Sequence, residues 1–491
     1  MLRHSEFKLP CGLPVLAYHL LCFCVLGLLT CASEWSAAVV LFLVWVWQLV
    51  GLYATVTALR RPDYDAVRSK YAAGTPTAQL YADNGVSILK PLHGVPKRLA
   101  ANLEEYFRLR YPKYELLLCI QEEKGQGALL ALIDSLMKKY PHVDAKVSIG
   151  FTDWGINPKV CNMGTGYELA KYDLVWIADA NIVCSDCVLQ DMVERFAGDP
   201  DKCGLVHQVP WMISGPGKTP HDPYSMEGYI SGGSVLDRWY FATGHARGYF
   251  GVNYMLFTCL NGMSAMVRKT HMETLGGLRH FAQFVAEDSE IGVAMDTHGF
   301  KTHLCRHAGL QNLAETTFSV FIDRRVRWAR LRYNMPKIAP GGPWEILIES
   351  HFCAMLCVAA LCWHLRAGPL LVPVVLTHAF IWCMCDAAMF AFLDRSVGLP
   401  EAWEDKPSNN LFFDWGKVST EAGGLQRFAY NLLRHYLLWL VREVSVLIII
   451  GKALYNVRHV EWGGKQFQLR GAARSASVEQ KLNEQGRKKE R

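Results

Sequence analysis

YDLVWIADAN, residues 172 to 181, carries five apolar side chains into an aspartate. The run Leu174 to Ala178 has the length of a buried strand, and Asp179 stands at its carboxyl end. Upstream, strand and helix signals alternate. VSILKPL (86–92) reads as a strand followed by a glycine turn, and LAANLEEYFRLR (99–110) has helical periodicity. YELLLCI (114–120) is a second strand, ALLALIDSLMKKY (128–140) an amphipathic helix, and AKVSIG (145–150) a third strand. This β-α-β-α-β order predicts an α/β fold with a mostly parallel sheet and helices on both faces. Such sheets bind ligands beyond the carboxyl ends of their strands, so Asp179 falls where a cleft is expected. There it can share a hard divalent cation with phosphates, or simply cap the element that follows.

The 491 residues divide by composition. Positions 9–33 and 35–59 contain no Asp, Glu, Lys or Arg, and each is long enough to span a bilayer. Arg3, His4 and Lys8 precede the first run, as in a signal peptide. The run is long for such a core, however, and a better span follows at once, which favours a membrane anchor. Arg60-Arg61 closes the second run and puts the middle of the chain on the cytosolic side. The expected units are an anchor of one or two transmembrane helices (1–61), a cytosolic domain (62–345), a C-terminal membrane region (346–456) and a basic, partly disordered tail (457–491). In the third unit, 350–365 and 367–393 read as spans. Residues 428–456 hold Arg434, Arg442 and Glu443, which suits a third span or a re-entrant or interfacial helix. From 452 onward ten Lys/Arg face four Asp/Glu, which favours a cytosolic tail, whereas a third full span would place it in the lumen. The sixteen cysteines fall largely in apolar runs, as small hydrophobes and free thiols. Cys184 and Cys187 form a CxxC with no second pair, a poor zinc site. The net charge of +6 is modest and gives no case for nucleic-acid binding.

Two further stretches carry chemistry. FVAEDSEIGVAM places Glu287 and Asp288 at an expected helix start. Either acid can be a favourable dipole interaction, and one of them, Asp288, can be a general base for a hydroxyl. RRVRWARLR (324–332) sets five arginines around one tryptophan. Its charge can mark the cytosolic side of a membrane or pair bidentately with phosphate. In a helix, Arg324, Arg327, Trp328 and Leu331 share a face, and Arg325, Arg330 and Arg332 lie largely elsewhere.

Taken in order, VSILKPLHGV, GINPKVCNM, WIADANI, CGLVHQVP, TCLNGMSAMVRK, FVAEDSEIG and RRVRWARLR resemble the ceramide glucosyltransferase family. These are membrane-bound inverting glycosyltransferases with a GT-A-type nucleotide-sugar-binding domain flanked by N- and C-terminal transmembrane helices. The resemblance runs from about Val86 to Met335. It implies glucose transfer from UDP-glucose to the primary hydroxyl of ceramide, forming glucosylceramide. Asp179 would help hold Mg2+ or Mn2+ against the diphosphate, and Asp288 would be the base. Lys159, Arg324, Arg327 and Trp328 would bind the nucleotide sugar, and His245 and Cys259 the acceptor. The family's first aspartate is missing, because QEEKGQGA stands in its place; Glu122 or Glu123 would take that role. The implied setting is a multi-pass protein of the Golgi or endoplasmic reticulum with its catalytic domain facing the cytosol. A processive polysaccharide synthase would need more spans and would make a polymer. A sphingolipid-binding paralogue without activity would be favoured by the QEEKG departure.

Overall fold

The computed structural model describes residues 33–59, 75–213, 233–312, 316–334, 350–397, 424–462, 465–470 and 474–477. The first apolar run, Arg60-Arg61 and most of the basic tail lie outside these ranges.

The expected strands form where the apolar runs are. β1 (Val86–Leu92), β2 (Tyr114–Ile120), β3 (Asp144–Ile149) and β4 (Leu174–Ala178) are parallel, with β1 between β2 and β4. β5 (Ile182–Val183), β6 (Cys203–His207), β7 (Pro210–Ile213), β8 (Ser264–Arg268), β9 (Lys301–Leu304) and β10 (Gly309–Asn312) follow. The main sheet has the order β3-β2-β1-β4-β8-β6-β9, and β8 runs antiparallel to both β4 and β6. A smaller sheet has the order β5-β10-β7. Pro91 sits near the end of β1, past Leu89, where the pairing with β4 stops. The chain winds outward from β1 to β3 and then returns to β4 on the other side of β1. The crevice at that switch lies beside the end of β4.

The period of two along β4 sorts its side chains. Leu174, Trp176 and Ala178 pack with the helices Leu99–Phe107, Gly127–Lys139 and Val188–Gly198. Val175 and Ile177 pack with Val160 and Met163 of the Pro158–Leu169 helix and with Ile291 and Met295 of the Glu287–Thr297 helix. The next residue in that alternation is Asp179, which is thereby directed toward the starts of those two helices.

A third apolar layer joins this domain to the long helices. Glu34–Ala58, Ser234–Ala242, Gly244–Met255, His351–His364, Leu371–Ser396 and Gly424–Tyr455 share one core around Trp239, Phe250, Trp382 and Trp439. Two helical stretches, Glu34–Ala58 and Gly368–Leu393, are long and apolar enough to cross a membrane. On the first, Trp35, Val39, Phe42, Val46, Leu49, Tyr53 and Val56 form an exposed stripe at helical spacing. On Gly424–Tyr455, Leu433, Leu437, Leu440, Val444 and Leu447 are exposed, whereas Arg442 and Glu443 are buried. That arrangement, apolar outside and charged inside, is the reverse of a water-soluble helix and suits a surface facing lipid. β11 (His459–Trp462), β12 (Lys465–Arg470) and β13 (Arg474–Ser477) form an antiparallel sheet, so the first residues of the Ser/Glu/Lys-rich stretch 475–491 are strand rather than disordered. Val460, Phe467 and Leu469 bury this sheet against Val285 and Leu331.

Candidate active site

A cavity of about 260 Å3 opens past the end of β4. Asp179, Lys159, His245, Cys259, Asp288, Arg324, Arg327 and Trp328 all line it. Glu122 and Glu123 do not; they are exposed on the loop after β2.

Asp179 caps no helix, since β5 follows it. Its backbone is held instead: its N–H donates to Met263 O at 2.9 Å, and its carbonyl accepts from Lys90 Nζ at 2.6 Å. Lys90 is fully buried on β1, with Tyr106 at 3.9 Å beneath its amine. Burial brings its pKa down to about 7, against the pull of Cys184 and Asp179.

Lys159 is the hub of the carboxylates. Its Nζ stands 2.8 Å from Asp179 Oδ1 and 3.3 Å from Glu287 Oε1, and donates to Gly262 O at 2.5 Å. Burial alone would lower its pKa, but the carboxylates of Asp179 and Glu287 hold it well above the ordinary lysine value. The preceding GIN sequence explains its position. Asn157 caps the Pro158–Leu169 helix, its Oδ1 accepting from the N–H groups of Lys159 and Val160 at 3.0 Å. Its Nδ2 donates to Phe284 O at 2.9 Å and Glu287 Oε2 at 2.7 Å. One buried side chain thus registers the helix carrying Lys159 against the helix carrying both acids. Burial raises the pKa of Glu287, and Lys159 opposes that rise.

Glu287 and Asp288 both line the cavity, although as neighbours they leave the helix in different directions. Asp288 Oδ2 accepts from Gly262 N–H at 2.7 Å and its Oδ1 from Ser289 N–H at 2.8 Å. A Cβ on Gly262 would come within 3.0 Å of Asp288 Oδ2, so glycine is needed for this approach. Among the described residues Asp288 has no ion-pair partner within 4 Å.

The arginine stretch is helical, Phe318–Tyr333, with Thr317 capping its N-terminus. Arg324, Arg327, Trp328 and Leu331 line the cavity, as their spacing predicts. The expectation for the other arginines needs correcting. Arg325 and Arg332 line it too, and Arg332 Nη2 donates to Cys259 Sγ at 3.0 Å. Only Arg330 turns away, with Nη1 donating to His459 O at 2.9 Å and Nη2 to Lys452 O at 2.8 Å. Arg324 and Arg325 share Asp237, at 3.5 and 2.5 Å. Burial lowers the Arg324 pKa to about 10, with Asp237 pulling it up, and burial also lowers that of Arg327. His245 packs between Phe241 and Tyr249, with ring centroids at 4.8 and 5.6 Å. Burial, and then Arg325 and Arg332, hold its pKa well below 6.5, so its imidazole is neutral.

Among the described residues no three His, Cys, Asp or Glu side chains gather to hold a metal unaided. The carboxylate placed for one is Asp179, partly open, with Glu287 behind Lys159, while Asp288 stands apart on the Gly262 N–H. That donor set fits a Mg2+ or Mn2+ coordinated mainly by a substrate's phosphates and water. The sequence reading missed Glu287, Arg325 and Asp237. It flagged Arg442 and Glu443 as costly charges in an apolar helix, but not as cavity residues; both line the cavity, as do Val446 and Ile449 of the same helix.

A family model for glycosyl transferase family 21 matches residues 40–404. Ceramide glucosyltransferase 3 of Caenorhabditis elegans is 30% identical over 390 residues, 78% of this chain and 74% of that protein. The ceramide glucosyltransferase of Komagataella phaffii is 28% identical over 442 residues, covering 78% and 82%. Among solved structures, a mannosyltransferase from Pyrobaculum calidifontis in complex with GDP-Man and Mn2+ aligns over 81% of this chain and 99% of its own, at 14% identity and a TM-score of 0.35.

Proposed function

This chain belongs to glycosyl transferase family 21, and from that premise we propose that it is a ceramide glucosyltransferase, moving glucose from UDP-glucose to the primary hydroxyl of ceramide with inversion. The observation that carries this reading is a single cavity. It holds Asp179, Lys159, Asp288, Arg327 and Trp328 together with Val446 and Ile449 of an outwardly apolar helix. A soluble sugar donor and a lipid acceptor can meet only where a polar site opens beside a bilayer.

In this reading Arg324, Arg327 and Lys159 receive the diphosphate of the donor. Asp179 and the phosphate oxygens would hold Mg2+ or Mn2+, which supplies neutralisation of charge on the leaving UDP. Asp288, set at the start of its helix and oriented by Gly262 N–H, takes the proton of the acceptor hydroxyl. The hydroxyl oxygen attacks the anomeric carbon from the face opposite UDP. The bond from that carbon to the β-phosphate oxygen breaks, its electron pair leaves with UDP, and a β-glucoside results from an α-donor. Trp328 packs beside the acceptor, with His245 and Cys259 lining its side of the cavity. Glu122 and Glu123 would meet only a nucleotide extending past β2. UDP-glucose is a cytosolic donor, which supports a catalytic domain facing the cytosol on a multi-pass protein of the Golgi or endoplasmic reticulum.

The test is purified protein given UDP-glucose, a ceramide and Mn2+, with the lipid product identified by mass and anomeric configuration. A single β-linked glucose on the lipid is expected. A polymer, or UDP release without a glycolipid, would refute the reading.

A further inference from the structure

Arg325 is the most enclosed charge on the cavity wall, only 2% exposed. Aromatic rings crowd its guanidinium: Tyr240 at 3.9 Å, Trp328 at 4.7 Å, Phe241 at 4.8 Å and Phe321 at 5.2 Å from Cζ. They set the plane of the group and cover its faces, leaving its edge for hydrogen bonds. Nη2 uses part of that edge on Asp237 Oδ1. Nε and Nη1 are buried and have no hydrogen-bond partner among the described residues. A charged N–H left dry is costly, so these donors need an oxygen that the described residues do not supply.

The charge around them says what kind of oxygen. Asp237, itself fully buried, already cancels Arg325 and lies at 3.5 Å from Arg324. An anion gains little at a neutralised arginine, and the diphosphate has Lys159, Arg324 and Arg327 to meet. Beyond Asp237 and the neighbouring arginines, the groups packed on Arg325 are aromatic, with the neutral imidazole of His245 at 6.2 Å from the Trp328 ring. A neutral, strongly accepting oxygen fits, and an N-acylated amino alcohol has one in its amide carbonyl. We propose that Arg325 donates one of its unpartnered N–H groups to the carbonyl oxygen of the acceptor's amide linkage, and so selects acylated lipids at the acceptor end of the cavity. The inference rests on ceramide being the acceptor.

Two neutral acceptor analogues isolate that oxygen. One replaces the amide by an ester, which keeps the carbonyl, and the other by an ether, which lacks it. With the wild-type enzyme, kcat/KM for the ester should exceed that for the ether by roughly 100-fold, since a site built to hydrogen-bond an atom rejects the analogue missing it. In Arg325→Gln the ratio should fall to within about fivefold, because the donor to the carbonyl is weakened. A wild-type ratio near one would show that water alone fills the edge and would overturn the proposal. So would a ratio that survives in Arg325→Gln, which marks a structural role. If the variant fails to fold, the wild-type ratio decides. If ceramide itself accepts no glucose, the functional reading falls instead.

Discussion

Asp179 and Glu287 share an ammonium, whereas among the described residues Asp288 accepts from the backbone N–H groups of Gly262 and Ser289. That difference separates their roles. Asp288→Asn should cut kcat by roughly 100- to 10,000-fold, the usual worth of a general base, while KM for UDP-glucose stays put. Asp179→Asn should instead raise the donor KM and the metal concentration needed for half-maximal rate. Steady-state kinetics with varied donor and Mn2+ distinguish the two, and near-normal turnover in Asp288→Asn would remove it from the role of base. The exposed pair Glu122 and Glu123 should be tolerant: the double Ala variant should keep its donor KM within about twofold, as surface changes away from a site usually do. Asp179 was legible in the sequence because it ends an apolar strand, and Asp288 was set apart from its neighbour by the family resemblance rather than by its local pattern. Glu287 was not, because a helix-start acid looks the same whether it meets solvent or a buried lysine from 128 residues upstream.

Individual elements are tied to one another by a few polar side chains. Asn157→Ala should destabilise the protein by about 1–3 kcal/mol, through loss of a cap and of the donor to buried Glu287. Asn157→Asp keeps the cap but sets a second carboxylate against Glu287, so it should lower activity more than its melting temperature suggests; equal effects of Asp and Ala would deny the contact that role. The arginine helix makes a second case. Arg327→Lys should lose roughly 30- to 1,000-fold in rate, since lysine cannot present a planar fork to a diphosphate in a dry site. Arg330→Lys should keep the rate per folded molecule but lower stability, because one ammonium cannot reach both His459 O and Lys452 O as the fork does. Activity per unit of inserted protein, measured beside thermal melting, separates these outcomes. Helical periodicity identified the cavity face of this element. It could not place Arg325, whose side chain is drawn to the wall by Asp237 on a neighbouring helix.

Across the whole molecule, buried charges lock the catalytic domain onto the long apolar helices. Asp386 of Leu371–Ser396 pairs with Arg247 of Gly244–Met255 and with Arg442 of Gly424–Tyr455 at 2.9 Å, and accepts from Trp439 Nε1 at 3.1 Å. Arg442 also meets Glu443 and donates to Thr243. Asp386→Leu would leave two arginines competing for the remaining carboxylate, at a cost of about 3–5 kcal/mol. Thermal unfolding in detergent should show that loss, with proteolysis cutting between the domain and the helices; an unchanged melting profile would mean the cluster contributes nothing to docking. The sequence alone established the division into apolar ends and an α/β middle, the succession of strands β1 to β4 along the chain and the strand-end and helix-start acids, because these follow from composition, local periodicity and chain order. The tertiary structure decided which charges meet. Lys159 between Asp179 and Glu287, Arg325 on Asp237, and Asp386 between two arginines join residues 20 to 139 positions apart. Such pairs leave no periodic trace in a sequence, since burying a charge requires only that a partner arrive in space, from whatever distance along the chain.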